Sequence, residues 1–210
     1  MRSLCIICSL VLLSCENPVI YRISADYFPA EVEGNSWEFE STEGMTVLLV
    51  SFGKATKGQR ECVLIERNYA PEYWYENSAE LARYEIEHYD FQGQRIEFNR
   101  WLRYLELPLL VGNSWSDTLD AVEVVSGERV ERRVVSYGKA EAIETVKVQA
   151  GTFRECYKVS LVRERETFVN FALRECDTIR TCEWYAPDVG LVKFVENGEE
   201  YSLVRLALLQ

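Results

Sequence analysis

A chain of 210 residues carrying 34 acidic against 23 basic side chains, net charge −11, with 48% hydrophobic residues, is long enough to bury about 70% of the surface its unfolded form exposes. That charge balance repels phosphate backbones and anionic headgroups, which argues against nucleic acid as a partner. A core of this size needs no metal, cofactor or disulfide to form.

The chain begins with Arg2 ahead of the apolar run Leu4 to Leu13, and Leu12-Leu13-Ser14-Cys15 precedes the polar Glu16-Asn17-Pro18. This is the layout of an export signal. Ten apolar residues span about 15 Å as a helix, whereas a bilayer core needs roughly 20 residues, so the run is too short for a permanent span. Small Ser14 before Cys15, with Leu12 at the third position ahead of it, resembles the lipobox of bacterial lipoproteins, although Leu13 stands where a smaller residue is commoner. The resemblance implies removal of residues 1–14 and acylation of Cys15; an ordinary secretory signal is the alternative. Two or three acyl chains, at about 0.8 kcal/mol per buried methylene, make a lasting anchor. The remaining 196 residues keep 22 basic and 34 acidic side chains, a balance of −12. Any membrane attachment therefore comes from lipid and not from a basic patch.

Residues 15–25 read as a tether, and 26–210 as one β domain, with a second lobe starting near Leu107 as the alternative. SWEFE alternates Trp37 and Phe39 inward against Glu38 and Glu40. MTVLLVSF is a more buried run closed by KATKGQ, and RECVLIER follows. Ser78 to Asp90 has helix formers early and then alternates Tyr84 and Ile86, which predicts a brief helix followed by a strand turning at Gly93-Gln94. Further runs are AVEVV, RVERRVVSY, ETVKV, ECYKVSLVRE, TFVNFAL, EWYA, LVKFV and EYSLVRLALL, divided by Ser126-Gly127, Ala150-Gly151, Pro187-Asp188 and the strong hairpin signal Asn197-Gly198. About a dozen strands without crossover-length connections predict an all-β, antiparallel, curved sheet forming a partly closed barrel or sandwich with little helix.

Gly-Asn-Ser-Trp occurs at Gly34 to Trp37 and again at Gly112 to Trp115. In both copies a proline lies upstream, Gly-Asn suits a turn with positive φ, and Ser-Trp enters a strand; the likeness ends at the tryptophan. We read it as a repeated way of starting a strand, with the indole as an apolar plug.

After the leader and Cys15 are set aside, Cys62, Cys156, Cys176 and Cys182 remain. The spacing of Cys176 and Cys182 suits partners across a hairpin, which by elimination pairs Cys62 with Cys156. Free buried thiols are the alternative; without a Cys-x-x-Cys pair, zinc is the weaker reading.

His88 is the one histidine, and no Gly-x-Ser-x-Gly accompanies it, so it reads as an ordinary strand residue. Asp117, Asp120 and Glu123 lack the order of a calcium loop, and Gly127 and Gly138 read as turn glycines. More suggestive is NYAPEYWYENSAELARYEIEHYDF, which places Tyr69, Tyr73, Trp74 and Tyr75 among acidic groups. Such rings suit sugar stacking or protein contact, against the plainer reading that they fill the core.

Four stretches in order, YFPAEVEGNSW, LELPLLVGNSW, VQAGTFRECYKV and EWYAPDVGLVKF, resemble a domain-of-unknown-function family of exported, lipid-anchored β proteins, TapB-like. Asp188 stands where that family often has glycine. The resemblance implies an antiparallel β fold in the cell envelope and brings no catalytic residues. The sequence thus points to a non-enzymatic, lipid-anchored binding or structural domain. Its partners are the membrane through Cys15 and an envelope protein, saccharide or apolar ligand. The alternatives are a carrier of lipid or other apolar ligand in a β cavity, and a hydrolase of envelope polysaccharide.

Overall fold

The computed structural model describes residues 26–209. The leader, Cys15 and the rest of the tether lie outside them. Twelve strands follow in order: β1 Ser36–Ser41, β2 Thr46–Lys57, β3 Arg60–Arg67, β4 Ala70–Glu76, β5 Glu80–Phe91, β6 Gln94–Glu106, β7 Ser114–Val125, β8 Glu128–Val148, β9 Gly151–Val169, β10 Ala172–Ala186, β11 Gly190–Glu196 and β12 Glu199–Ala207. Among the described residues there is no helix. Ser78 and Ala79, where a brief helix was expected, form a tight connection in which the Asn77 side chain accepts from the backbone N–H groups of Ala79 and Glu80. An Asx turn outcompetes helix propensity over so short a segment.

All twelve strands belong to one antiparallel sheet ordered β6-β5-β4-β3-β2-β1-β12-β11-β10-β9-β8-β7. It contains two six-strand meanders joined where β1 pairs with β12. The free edges β6 and β7 are neighbours in the chain and in space, so the sheet is a nearly closed barrel. Side chains span the seam between them. Trp115 Nε1 donates to the Tyr104 carbonyl at 3.0 Å, Arg100 Nη1 to the Thr118 carbonyl at 2.6 Å, and the Arg103 backbone N–H to Asp117 Oδ2 at 2.9 Å.

Tight turns set the meander. Gly58-Gln59, Asn68-Tyr69, Gln92-Gly93, Ser126-Gly127, Asn170-Phe171 and Asn197-Gly198 each hold both central residues at positive φ, the turn whose twist matches paired strands. Asn170-Phe171 divides TFVNFAL, which the sequence presents as one strand. Conversely RVERRVVSY and ETVKV are parts of the single strand β8. Gly138 lies inside β8 and not at a turn: the Trp115 indole covers it so closely that an added Cβ would meet ring carbons at 2.2 Å.

Both Gly-Asn-Ser-Trp copies are turns. Gly34 and Gly112 have φ of 91° and 93°. Asn35 donates to the Val32 carbonyl and Asn113 to the Leu110 carbonyl; Gly34 donates to Ser51, and Gly112 to Ala140, on the following strand. Both tryptophans are buried and donate to a backbone carbonyl. They start β1 and β7, the first strand of each meander, so the repeat also marks equivalent positions in two halves.

Candidate functional site

The barrel interior is layered. Along β5, Leu81 belongs to a large apolar core that includes Trp37, Phe39, Trp74, Trp115 and Phe194; Arg83, Glu85 and Glu87 follow; then Tyr89 and Phe91 reach a smaller core of Ile96, Phe98, Leu102, Leu119, Val130, Val134 and Val169. β9 repeats the order with Leu161, then Arg163, Arg165 and Thr167, then Val169. A charged layer thus separates two oily ones. Glu85 accepts from Arg83 Nε at 2.7 Å and from both terminal nitrogens of Arg163 at 2.6 and 3.1 Å. Glu87 pairs with Arg132 at 2.9 Å and Arg165 at 3.1 Å. Burial works to raise the Glu85 carboxyl, but Arg83 and Arg163 outweigh it and hold the carboxyl below its usual range. Beside this layer Glu183 accepts from the Tyr104 hydroxyl at 2.5 Å and from the Tyr185 hydroxyl; burial raises its carboxyl.

At the end of the barrel holding the described start of the chain, a half-open cleft of about 510 Å³ lies between residues 28–31 and strands β2 to β5. Phe28 and Trp74 form one wall, ring centroids 4.9 Å apart, and the far edge of Trp74 meets Tyr104. Tyr75, Glu31, Glu76, Lys54, Thr56 and Glu61 carry the rim, with Cys62 and Leu81 deeper. Partial burial, then the carboxylates of Asp26 and Glu31, push the Glu76 carboxyl up to about 7. A planar apolar wall beside hydroxyl-binding carboxyl groups offers stacking and hydrogen bonding together.

Of the four candidate aromatics, Trp74 alone turns its ring toward this cleft, while Tyr75 borders it with its ring directed away. Trp74 is buried and its Nε1 donates to Glu72 at 3.0 Å. Tyr73 and Tyr75 point to the outer face, where Lys57 lies 4.9 Å from the Tyr73 ring and Arg60 4.4 Å from the Tyr75 ring. Tyr69 is separate, at the β3–β4 turn and 89% exposed. Trp74 packs in the large apolar core and also borders the cleft.

The cysteine pairing is corrected. Cys62, Cys156, Cys176 and Cys182 are free thiols. Cys176 and Cys182 lie on the same strand, β10, and six residues of extended chain separate them by about 20 Å, far beyond the reach of a disulfide. The turn that a hairpin would need is not between them but at Asn170-Phe171. Burial pushes the Cys62 thiol up and the Cys156 thiol to about 11, so both stay protonated.

His88 is exposed on β5 opposite Glu97. Asp117 closes the seam and Asp120 pairs with Arg133 at 3.5 Å. Among the described residues no group of histidine, cysteine or carboxylate side chains is arranged to hold a metal.

The charged layer is not visible in the alternation of Tyr84 and Ile86, because apolar periodicity along β5 gives no sign that Glu85 and Glu87 face inward. Ile86 is 38% exposed while Glu85 and Glu87 are 7% and 6% exposed. A signal was present in Arg163-Glu164-Arg165-Glu166, where alternate positions carry one sign and so face one wall.

Comparison with known proteins follows this geometry. Residues 118–202, from β7 into β12, match a family model. That model is described as DUF3108-like. The implied domain-of-unknown-function kinship is thereby met. The DUF3108-like segment supplies Arg132, Arg163, Arg165 and Glu183 to the interior. Among curated proteins none matches the chain. Three solved structures resemble it distantly. A Parabacteroides distasonis protein provisionally described as a lipoprotein is 16% identical, covering 87% of this chain and 99% of its own, TM-score 0.46. A Bacteroides fragilis protein provisionally described as exported, with a YmcC-like fold, is 13% identical over 88% and 100%, TM-score 0.47. The hypothetical lipoprotein YmcC of Escherichia coli is 11% identical over 90% and 92%, TM-score 0.34. At that distance none of them transfers a role.

Proposed function

We propose that this protein is a lipid-anchored, non-enzymatic binding domain of the bacterial cell envelope, and that the cleft beside residues 28–31 is its contact site for a saccharide. The leader sequence and Cys15 support the anchor. One observation carries the binding site: the Phe28–Trp74 wall stands beside the Glu31 and Glu76 carboxyl groups in a cleft of about 510 Å³. Ring faces of a sugar stack on aromatic walls while its hydroxyls need fixed acceptors. The apolar-carrier reading is opposed by the interior, where Glu85 and Glu87 with four arginines stand between the two apolar cores.

Titration of the mature protein with envelope oligosaccharides, followed by tryptophan fluorescence, tests the reading. Binding that Phe28→Ala and Glu76→Gln each weaken at least about fivefold supports it; failure of every saccharide to produce a saturable response overturns it. A hydrolase reading finds support in the raised Glu76 carboxyl beside Glu31, since glycoside cleavage needs one protonated and one ionised carboxyl. The two readings separate in the same samples: release of new reducing ends by the wild type, abolished in Glu76→Gln, would replace binding with catalysis.

A further inference from the structure

The cleft beside residues 28–31 has a charge balance that narrows the class of its ligand. Thr56 on β2 lies opposite Glu61 on β3, Val63 lies opposite Trp74, and Glu76 lies opposite Leu81. Opposed residues of antiparallel strands share a face, and so do alternate residues of one strand. Glu61 and Glu76 therefore turn to the same side of the sheet as the Trp74 wall, and Glu31 joins them from the chain segment that borders the cleft. Lys54, opposite Val63, is the one cation of the lining.

Among the described residues, neither these three carboxyls nor the Lys54 ammonium has an ion-pair or hydrogen-bond partner. Deeper in the barrel the opposite holds, where Glu72, Glu85 and Glu87 lie 3.7, 2.7 and 2.9 Å from an arginine. The crowding of like charge at the cleft shows at Glu76, whose carboxyl is pushed up to about 7 by burial first and then by Asp26 and Glu31. A cleft of about 510 Å³, the size of an ordinary small-molecule site, thus holds three unpaired carboxyls against one ammonium.

Carboxylates only accept hydrogen bonds, and an ammonium only donates them, three at a time. A sugar carrying a carboxylate or sulfate meets repulsion here, and a neutral sugar gains nothing from the surplus charge. A sugar carrying an ammonium gains both the ion pair and the attraction of a cation to the Phe28 ring face. Resting on the reading of this cleft as a saccharide site, we propose that its ligand is an amino sugar with a free ammonium group, held by Glu31 and Glu76 with the sugar ring against Phe28.

The test is titration of the mature, lipidated chain in detergent, at constant ionic strength, with a glucosamine tetrasaccharide and with its fully N-acetylated counterpart. Tryptophan fluorescence reports binding, since Trp74 lines the cleft. The two probes share rings and linkages and differ in the charge on nitrogen. The expected result is saturable binding of the glucosamine form, at least about tenfold tighter than that of the N-acetylated form. Lys54→Gln removes the competing ammonium, so it is expected to tighten glucosamine binding about threefold and to leave the N-acetylated form unchanged. Lys54 is exposed, and a gain of affinity does not arise from a misfolded chain. Equal or tighter binding of the N-acetylated form, or no gain in Lys54→Gln, overturns the assignment and leaves the saccharide reading standing. Silence from both probes overturns it as well, and the saccharide reading falls with it only if neutral and acidic oligosaccharides also fail to bind.

Discussion

Glu85 accepts from Arg83 on one side and from Arg163 on the other, and Glu87 repeats the arrangement with Arg132 and Arg165. Arg83 lies on β5 itself, whereas Arg163, Arg132 and Arg165 join β5 to walls far from it in sequence. Coulomb attraction is strong in this low-dielectric space, but so is the cost of removing four guanidiniums and two carboxylates from water, and the net contribution to stability is small. Breaking the arrangement is different, because it strands charges already desolvated. Glu85→Gln is expected to destabilise the protein by about 3–5 kcal/mol, read as a lower urea midpoint with unchanged slope; a change under about 1 kcal/mol would show that Arg83 and Arg163 find other partners. This layer was the least legible part of the sequence. A rule placing apolar residues inside selects Tyr84 and Ile86, and nothing local to β5 reveals the arginines on β8 and β9 that reverse the choice. Where one strand meets only apolar neighbours, as Trp37 and Phe39 do on β1, the same rule held.

At the scale of elements, the strands were readable because alternation and turn residues agree, and the errors fall where a turn lacks glycine, as at Asn170-Phe171, or where a glycine, Gly138, sits inside a strand. Asn68-Tyr69 and Asn170-Phe171 place an aromatic residue at φ of 69° and 68°, a conformation costly for bulky side chains. The asparagine makes it tenable. Asn68 accepts from the Leu48 N–H and donates its own N–H to the Leu48 carbonyl; Asn170 and Asn197 latch in the same way onto Arg129 and Arg180. Tyr69→Gly relieves about 1–2 kcal/mol of left-handed strain against about 0.5–1 kcal/mol of added unfolded-chain entropy. A gain of up to about 1 kcal/mol in thermal or urea unfolding is expected, and a clear loss would mean that the exposed ring makes a contact of its own. The seam makes the opposite prediction. Asp117 accepts from the Arg103 and Thr118 N–H groups and lies 3.7 Å from Arg100, so Asp117→Ala leaves a partly buried donor unmatched. A cost of about 1–3 kcal/mol is expected, with faster hydrogen exchange confined to β6 and β7; uniform acceleration across the sheet would place the closure elsewhere.

For the whole molecule, pH acts through two groups of carboxyls. Glu85 has a lowered folded pKa, so its contribution is present above its unfolded value of 4.5 and is lost as pH falls through the folded value. Glu183 is raised by burial, and Glu76 is raised to about 7, so their contributions are present below 4.5 and lost as pH rises through the folded values. Solvent at the cleft rim reduces the Glu76 share to a few tenths of a kcal/mol. Thermal unfolding is expected to peak between about pH 4.5 and 6; a maximum above pH 7 would contradict these assignments.

The two Gly-Asn-Ser-Trp turns, the asparagine latches and the β1–β12 junction together describe a barrel assembled from two similar meanders. Its inside is closed by charge, and the cleft lined by Phe28 and Trp74 lies at one mouth. That division is the centre of the account, and native mass spectrometry after mild extraction, set against the denatured mass of the same sample, tests it most directly. The account predicts no non-covalent adduct of lipid size, only saccharide. A stoichiometric adduct of lipid mass that vanishes on denaturation would contradict it, because the charged layer would then have to part and admit an apolar ligand.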